Sequence, residues 1–250
     1  MNDFIAAKVD VIVTAGTPAA LAVKEKTNRI PLVMVAVGDP VGTGLVKNLA
    51  RPEGNLTGLS SIAPDLEGKR LQLLREVVPA LSQVAMLFNS LNPFHVASVR
   101  QAGVAAQTLG IKLQALDIRT SEDLDGAFAT VRQERPDALF ILADRVFLHN
   151  RQRIIDFAAE QRLPSVNAYE ELVEAGGLLS YGPSYEDMHR RAAGYVDKIQ
   201  EARKIGSFKN LGKRAVRSLL CCKKVRCERG CGPQGYQAGR QYPKEGLRGA

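Results

Sequence analysis

Residues 9–40 read VDVIVTAGTPAALAVKEKTNRIPLVMVAVGDP, and this stretch decides the fold. Val9 to Thr14 is a short β-branched run of the kind that forms a strand buried on both faces. Ala15-Gly16-Thr17-Pro18 marks a turn, an alanine-rich segment with helical spacing follows, and Pro31 to Val37 reads as a second strand. A strand–helix–strand unit within one sheet is almost always a right-handed parallel crossover. Pro18 suits the first helical position and Thr17 the cap, so unpaired backbone N–H groups are expected just beyond the carboxyl end of the first strand. Such a corner attracts a carboxylate or phosphate, and open α/β sheets bind ligands at that edge. A well-capped helix facing water has the same pattern, so the corner by itself leaves both readings open.

The alternation continues outward from this unit. Met1 to Lys8 reads as the end of a helix, the segment after Pro40 as a short helix and an Arg-Pro-Glu-Gly-Asn turn, and Asn55 to Ser60 as a third strand. Asp65 to Val78 has Leu71, Leu74 and Val78 at helical spacing, ended by Pro79. A second series then runs through strands at Val84–Phe88, Ile111–Ile118, Ala138–Leu142, Ser165–Asn167 and Gly177–Tyr181. Its helices are capped by Asn92-Pro93, closed by Gly110, opened by the Thr120 to Asp123 capping pattern, and placed over roughly Arg151 to Arg162 and around Tyr169 to Glu174. The inner faces are read as Val96, Val99, Gly103 and Ala106, then Leu124, Phe128 and Val131, then Ile154, Ile155 and Ala158. Tyr185 to Ile199 is a last helix, with Met188, Ala192, Tyr195 and Ile199 on one side. Five strands in the second series against three in the first imply two doubly wound α/β lobes, the first incomplete. The expected division is 1–78 for the first lobe, 79–183 for the second, 184–199 for a helix linking them, and 200–250 for a disordered tail.

Charge divides the chain at the same place. Residues 1–199 carry 21 Lys+Arg and 23 Asp+Glu, whereas residues 200–250 carry 13 and 3, so the net charge of +8 belongs to the tail. A basic balance confined to a patternless segment is no nucleic-acid footprint, and no nucleic-acid partner is expected. Cys221, Cys222, Cys227 and Cys231 all lie in the tail, spaced unlike a zinc site, so the body has no disulfide framework and no thiol chemistry. No apolar run reaches the roughly 18–20 residues of a membrane helix, so no membrane insertion is expected. The first eight residues have no charged segment followed by an apolar core, so they do not read as a signal peptide.

Several stretches resemble one family. VDVIVTAGTPAALA, the GDPV at Gly38 to Val41, LARPEGNLTGLS, KRLQLLREVVP, LFNSLNPF around Asn89 to Phe94, and EAGGLLSYGPSY at Glu174 to Tyr185 are similar to the substrate-binding proteins of bacterial ABC transporters. Within these, the likeness is to the group assigned to tryptophan, tyrosine or amino-acid transport, and it covers about residues 5–199. The resemblance implies a type I periplasmic binding protein, two Rossmann-like lobes joined by hinge crossings with the ligand in the cleft. It also implies a solute-binding role for an ABC importer, an amino acid or similar small polar ligand, an ABC permease as partner, no cofactor, a monomer, no catalysis, and a periplasmic or cell-surface location. Without a leader the chain as written would stay in the cytoplasm. Members carry an upstream strand–helix–strand unit and a different ending, so the chain reads as truncated at its start and frame-shifted after Ile199. A ligand-sensing domain of a regulator and a Rossmann-like enzyme are the alternative readings.

Candidate ligand contacts lie at the strand tips. Gly16, Thr17 and Pro18 are expected to offer backbone and hydroxyl donors to a carboxylate, and Asp39 to pair with an ammonium group or serve as a turn residue. Asn89, Asn92 and Phe94 occupy the matching corner of the second lobe, with Asn92 also a helix cap. Asp144 ends the middle strand of the second series and could meet a cationic group, and Tyr169 and Tyr181 are candidate aromatic walls. Enzyme motifs are weak: His95, His149 and His189 are dispersed without a neighbouring nucleophile. Gly42-Thr43-Gly44 lacks the third glycine and the preceding strand of a dinucleotide site, and no Gly-x-Ser-x-Gly elbow occurs.

Overall fold

The computed structural model describes residues 4, 6–50, 52, 54–61, 66–204, 217–218 and 226–227. Its first lobe contains β1 (Ile12–Ala15), α1 (Thr17–Lys26), β2 (Leu32–Val37) and β3 (Leu56–Ser60). Then come α2 (Leu66–Val77), β4 (Gln83–Phe88), α3 (Pro93–Leu109), β5 (Lys112–Asp117), α4 (Asp123–Glu134) and β6 (Ala138–Ile141). The remainder is α5 (Arg145–His149), α6 (Arg151–Glu160), β7 (Ser165–Asn167), α7 (Glu171–Glu174), β8 (Leu179–Ser180), α8 (Tyr185–Lys204), β9 (Arg217–Ser218) and β10 (Arg226–Cys227). The expected α/β class and the expected two series of strands are both present.

Strand order is β1-β2-β3-β9 in one sheet and β10-β8-β7-β6-β4-β5 in the other. All pairings are parallel except β10 with β8. The two bridges β9 and β10 lie in the basic segment, where the sequence shows no strand pattern; apart from residues 200–204 at the end of α8, the rest of that segment, with Cys221, Cys222 and Cys231, lies outside the described residues. In the second sheet the chain runs from β4 outward to β5, then returns to the other side of β4 with β6. The tips of β4 and β6 therefore form a topological switch point, the crevice where open α/β sheets take ligands.

Packing explains the order of the helices. α1 covers one face of the first sheet through Ala20 and Val23 against Leu32, Met34 and Leu56. α8 covers the other face, with Met188, Ala192 and Ile199 against Val33, Val35 and Leu59. α8 is thus a wall of the first lobe as well as a link, which is why Val33 and Val35 can be as apolar as Leu32 and Met34. The second core gathers Met86, Phe140, Phe147 and Ile154 around the second sheet. It also takes Leu71, Leu73 and Leu74 of α2, a helix that the division at residue 78 assigns to the first lobe. From α2 to β8 the described chain is thus packed with the second core.

Three local readings are corrected. Among the described residues between Pro40 and β3 no helix forms; residues 41–44 make turns, with the Asp39 carboxylate accepting the Gly42 N–H. The buried face of α3 is Phe94, His95, Ser98, Ala102 and Ala106, whereas Val96 is 72% exposed and Gly103 faces outward. Small residues on that face let α3 lie close to α2, where Gly68 sits beside Ala105. The short helix α5 is absent from the periodicity because five residues carry too little pattern to register. Gly110 does end α3 in the left-handed conformation, at φ 66°. No described helix is long and apolar enough to cross a membrane.

Candidate functional site

A cavity of about 160 Å³ lies between the lobes at the strand tips. The first lobe contributes Ala15 to Ala19, Ala36, Gly38 and Ser61, and the second contributes Asn89, Asn92, Phe94, Ala143, Asp144, Arg145 and Tyr169, with Tyr185 from the start of α8. Its floor is built of small residues and backbone, its charged side chains are Asp144 and Arg145, and its aromatic sides are Phe94, Tyr169 and Tyr185.

Each lobe ties its own strand-end loops together with one side chain from the start of a helix. In the first lobe the Thr17 hydroxyl accepts the Gly38 N–H at 3.0 Å and lies 3.3 Å from the Gly38 carbonyl, joining the β1 and β2 tips. Thr17 is therefore not the cap. Gly16, at φ 85°, takes that place and has no side chain to cap with, while its N–H is donated to Val35. The first intrahelical bond of α1 runs from Ala20 N–H to the Gly16 carbonyl. The N–H groups of Thr17 and Ala19 consequently have no partner within the helix, and both residues line the cavity.

In the second lobe His95 does the tying. Its Nδ1 accepts the Asn89 N–H at 2.8 Å and its Nε2 donates to the Ala143 carbonyl at 3.1 Å, joining the β4 and β6 tips. This requires a neutral ring protonated on Nε2, since a proton on Nδ1 would face the Asn89 N–H. Burial pushes the His95 pKa down, with Asp144 and the hydrogen bonds offsetting part of the effect. As pH falls, the unfolded chain binds a proton here before the folded one does, so stability is lost from about pH 6.5 down to the lowered folded value. Thermal midpoints measured between about pH 7.5 and 5.5 are expected to drop in the wild type and to flatten in His95→Gln. Asp123 and Asp137 have pKa values lowered chiefly by backbone N–H donors, so their contribution fades only below about pH 4, a separate window.

Asp144 organises the rest. Its Oδ1 caps α5 by accepting the Val146 N–H at 2.9 Å and accepts Asn89 Nδ2 at 3.4 Å, while Oδ2 accepts Asn92 Nδ2 at 2.8 Å. A carboxylate has about four acceptor positions, so one position on Oδ2 is left over. Asn92 caps α3 as expected, through Phe94 N–H, and the Ser90 N–H and hydroxyl anchor the same loop on Asp117 at 2.8 and 2.7 Å. Arg145 extends its stem past Gly16, donates to the Tyr185 hydroxyl and lies over that ring at 5.6 Å. Tyr169 packs edge-on against Tyr185 at 5.4 Å. Its hydroxyl has no hydrogen-bond partner among the described residues, and burial pushes its pKa upward.

Gly16, Thr17, Pro18, Asn89, Asn92, Phe94, Asp144 and Tyr169 thus converge on one cavity, whereas Asp39 and Tyr181 do not line it. The Asp39 carboxylate turns back to the Gly42 N–H at 2.8 Å, the turn role open to an Asp before Pro. Tyr181 packs on the second core, and its carbonyl is held by Arg70. Arg145, Tyr185 and Ala36 escape a reading by residue type. Arg145 belongs to the unrecognised α5. Tyr185 looks like the start of a helix and nothing more. Ala36 faces the cavity because β2 shifts register against β3 between Met34 and Val37, with Ala36 at φ 53°; no sequence cue marks that bulge.

The family model described as ABC transporter substrate binding protein matches residues 1–223. The match runs past Ile199, where the resemblance read from motifs stops. A tyrosine-binding protein from Clostridioides difficile (strain R20291) is 27% identical over 208 residues, which is 83% of this chain and 59% of the relative. The chain thus spans less than two thirds of that relative's length. A conserved domain protein from Vibrio cholerae O1 biovar El Tor superposes with a TM-score of 0.73 at 31% identity, over 82% of this chain and 68% of that one. A Streptococcus pneumonia ABC domain in complex with L-Trp gives 0.71 at 22% identity, over 84% and 70%.

Proposed function

The chain belongs to the ABC transporter substrate-binding protein family, and from that premise we propose that it captures a free amino acid between its lobes and presents it to an ABC permease. Its fold is that of the type I periplasmic binding proteins. The observation that carries the ligand class is the presence of both charges in a cavity of amino-acid scale: Arg145 and the start of α1 line it, and so does Asp144. The first set suits a carboxylate, and the spare acceptor position on Asp144 suits an ammonium group. Phe94, Tyr169 and Tyr185 offer faces and edges to an aromatic side chain, in keeping with a relative named for tyrosine.

Lobe closure follows from the same geometry. Arg145 and Phe94 of the second lobe meet Gly16 and Gly38 of the first, so only the closed arrangement lets one solute touch both halves, and ligand shifts the open–closed balance accordingly. A thermal-shift panel tests the reading. Free L-tyrosine and L-tryptophan are expected to raise the melting midpoint, while their amides and N-acetyl forms leave it unchanged. Equal shifts with blocked and free forms would remove the zwitterion assignment.

A further inference from the structure

A buried ion pair sits outside the cavity, where the chain crosses between lobes. Glu67 is 0% and Arg70 3% exposed. Arg70 Nη1 contacts Glu67 Oε2 at 2.6 Å, and Arg70 Nε donates to the Tyr181 carbonyl at 2.7 Å. The partners come from opposite ends of the second lobe: α2 opens it just after the first crossing, and Tyr181 closes it just before the second. The next residue, Gly182, is pinched. A Cβ there would lie 3.1 Å from Arg70 Nη2 and closer still to the Ala168 carbonyl oxygen, so only glycine lets the chain pass. Ala168 adjoins Tyr169, a wall of the cavity.

Burying two charges is costly, and a pair kept for stability alone is often replaceable by apolar side chains. A planar guanidinium that gives Nε to a backbone carbonyl and Nη1 to Glu67 has a use that an apolar residue cannot supply: this two-ended fork fixes where the chain leaves the lobe. Met188, three residues after Tyr185, already packs in the first lobe, so the second crossing is confined to the few residues between Tyr181 and Tyr185.

We propose that Arg70, oriented by Glu67, is a positioning residue that holds the second crossing against the second lobe and so sets the pivot on which the lobes close over the solute. The proposal rests on the solute-binding reading above. If the fork is lost, the crossing loosens, fewer molecules adopt the closed form, and apparent affinity falls by that fraction.

Arg70→Lys keeps the charge and removes the fork. In the ligand-free full chain, hydrogen exchange of the Gly182, Ser184 and Tyr185 amides is expected to quicken about tenfold while β6 amides keep their protection. L-tyrosine affinity is expected to weaken about tenfold, mainly in the dissociation rate. Glu67→Gln should give the same pattern at smaller amplitude. Unchanged exchange at the crossing, or faster exchange with unaltered affinity, would overturn the proposal. Loss of cooperative melting in both variants would assign the pair to stability and overturn it equally. If wild type binds no amino acid, the ligand reading fails, while the exchange comparison still decides whether the fork holds the crossing.

Discussion

Gly38→Ala is expected to weaken amino-acid binding at least about a hundredfold, roughly 2.7 kcal/mol, while leaving the ligand-free melting midpoint within about 2 °C. The added Cβ would lie 2.5 Å from Phe94 Cδ2 and 2.6 Å from Cδ1. Those atoms belong to the opposite lobe and sit near the root of a ring that is 4% exposed, so no flexible tip can swing aside. The clash exists only when the lobes meet, and the open form carries no penalty; the cost therefore falls on closure and not on folding. Titration calorimetry on a double-mutant cycle checks the cause. Phe94→Ala in the Gly38→Ala background should restore part of the affinity, a non-additive result. Strict additivity would place the effect elsewhere.

Asp144→Ala is expected to lower affinity by about a thousandfold or more and, unlike the glycine change, to cost about 2–4 kcal/mol of stability. Three donors converge on this 6% exposed carboxylate. Its removal uncaps α5, leaves the Asn89 and Asn92 amides without an acceptor, and takes away the negative charge facing the cavity. Asp144→Asn separates these roles, because an amide oxygen still caps α5 but carries no charge. Its stability should fall by about 1–2 kcal/mol by chemical denaturation, less than for Asp144→Ala, because the new amide nitrogen faces the Asn92 Nδ2 donor, whereas affinity for L-tyrosine should still fall about tenfold to a hundredfold. If Asp144→Asn bound as tightly as wild type, the carboxylate would be a structural cap only.

How far the site was legible depends on the kind of signal each residue carries. Val9 to Pro40 announces its strand–helix–strand unit because β-branched runs, a Gly-Thr-Pro corner and alanine spacing agree with one another. Asn92 and Asp144 were accessible for a related reason: a polar cap at a strand tip is a local pattern, and the tips of β4 and β6 are where a doubly wound sheet opens. Asp39 sits at an equally suggestive tip, yet its carboxylate closes a local turn, and nothing in one sequence distinguishes those two uses. Thr17 shows the limit more finely. Its position at the corner was readable, but its bond to Gly38 depends on how β1 and β2 tips align in space. Arg145, Tyr185 and Ala36 are set by a five-residue helix, a lobe crossing and a register shift, which are tertiary facts without local periodicity. The placement of α2 belongs to the same class, since an amphipathic face shows that a helix packs but not which sheet receives it.

The central claim is that the solute lies at the facing strand tips. Diffraction from the full chain crystallised with L-tyrosine tests it most directly. The account predicts ligand density in the cavity, with the carboxylate at the Thr17 and Ala19 N–H groups and Arg145, the ammonium at Asp144, and the ring among Phe94, Tyr169 and Tyr185. Density for the amino acid outside the groove between the lobes, with the strand tips unoccupied at saturating L-tyrosine, would contradict it.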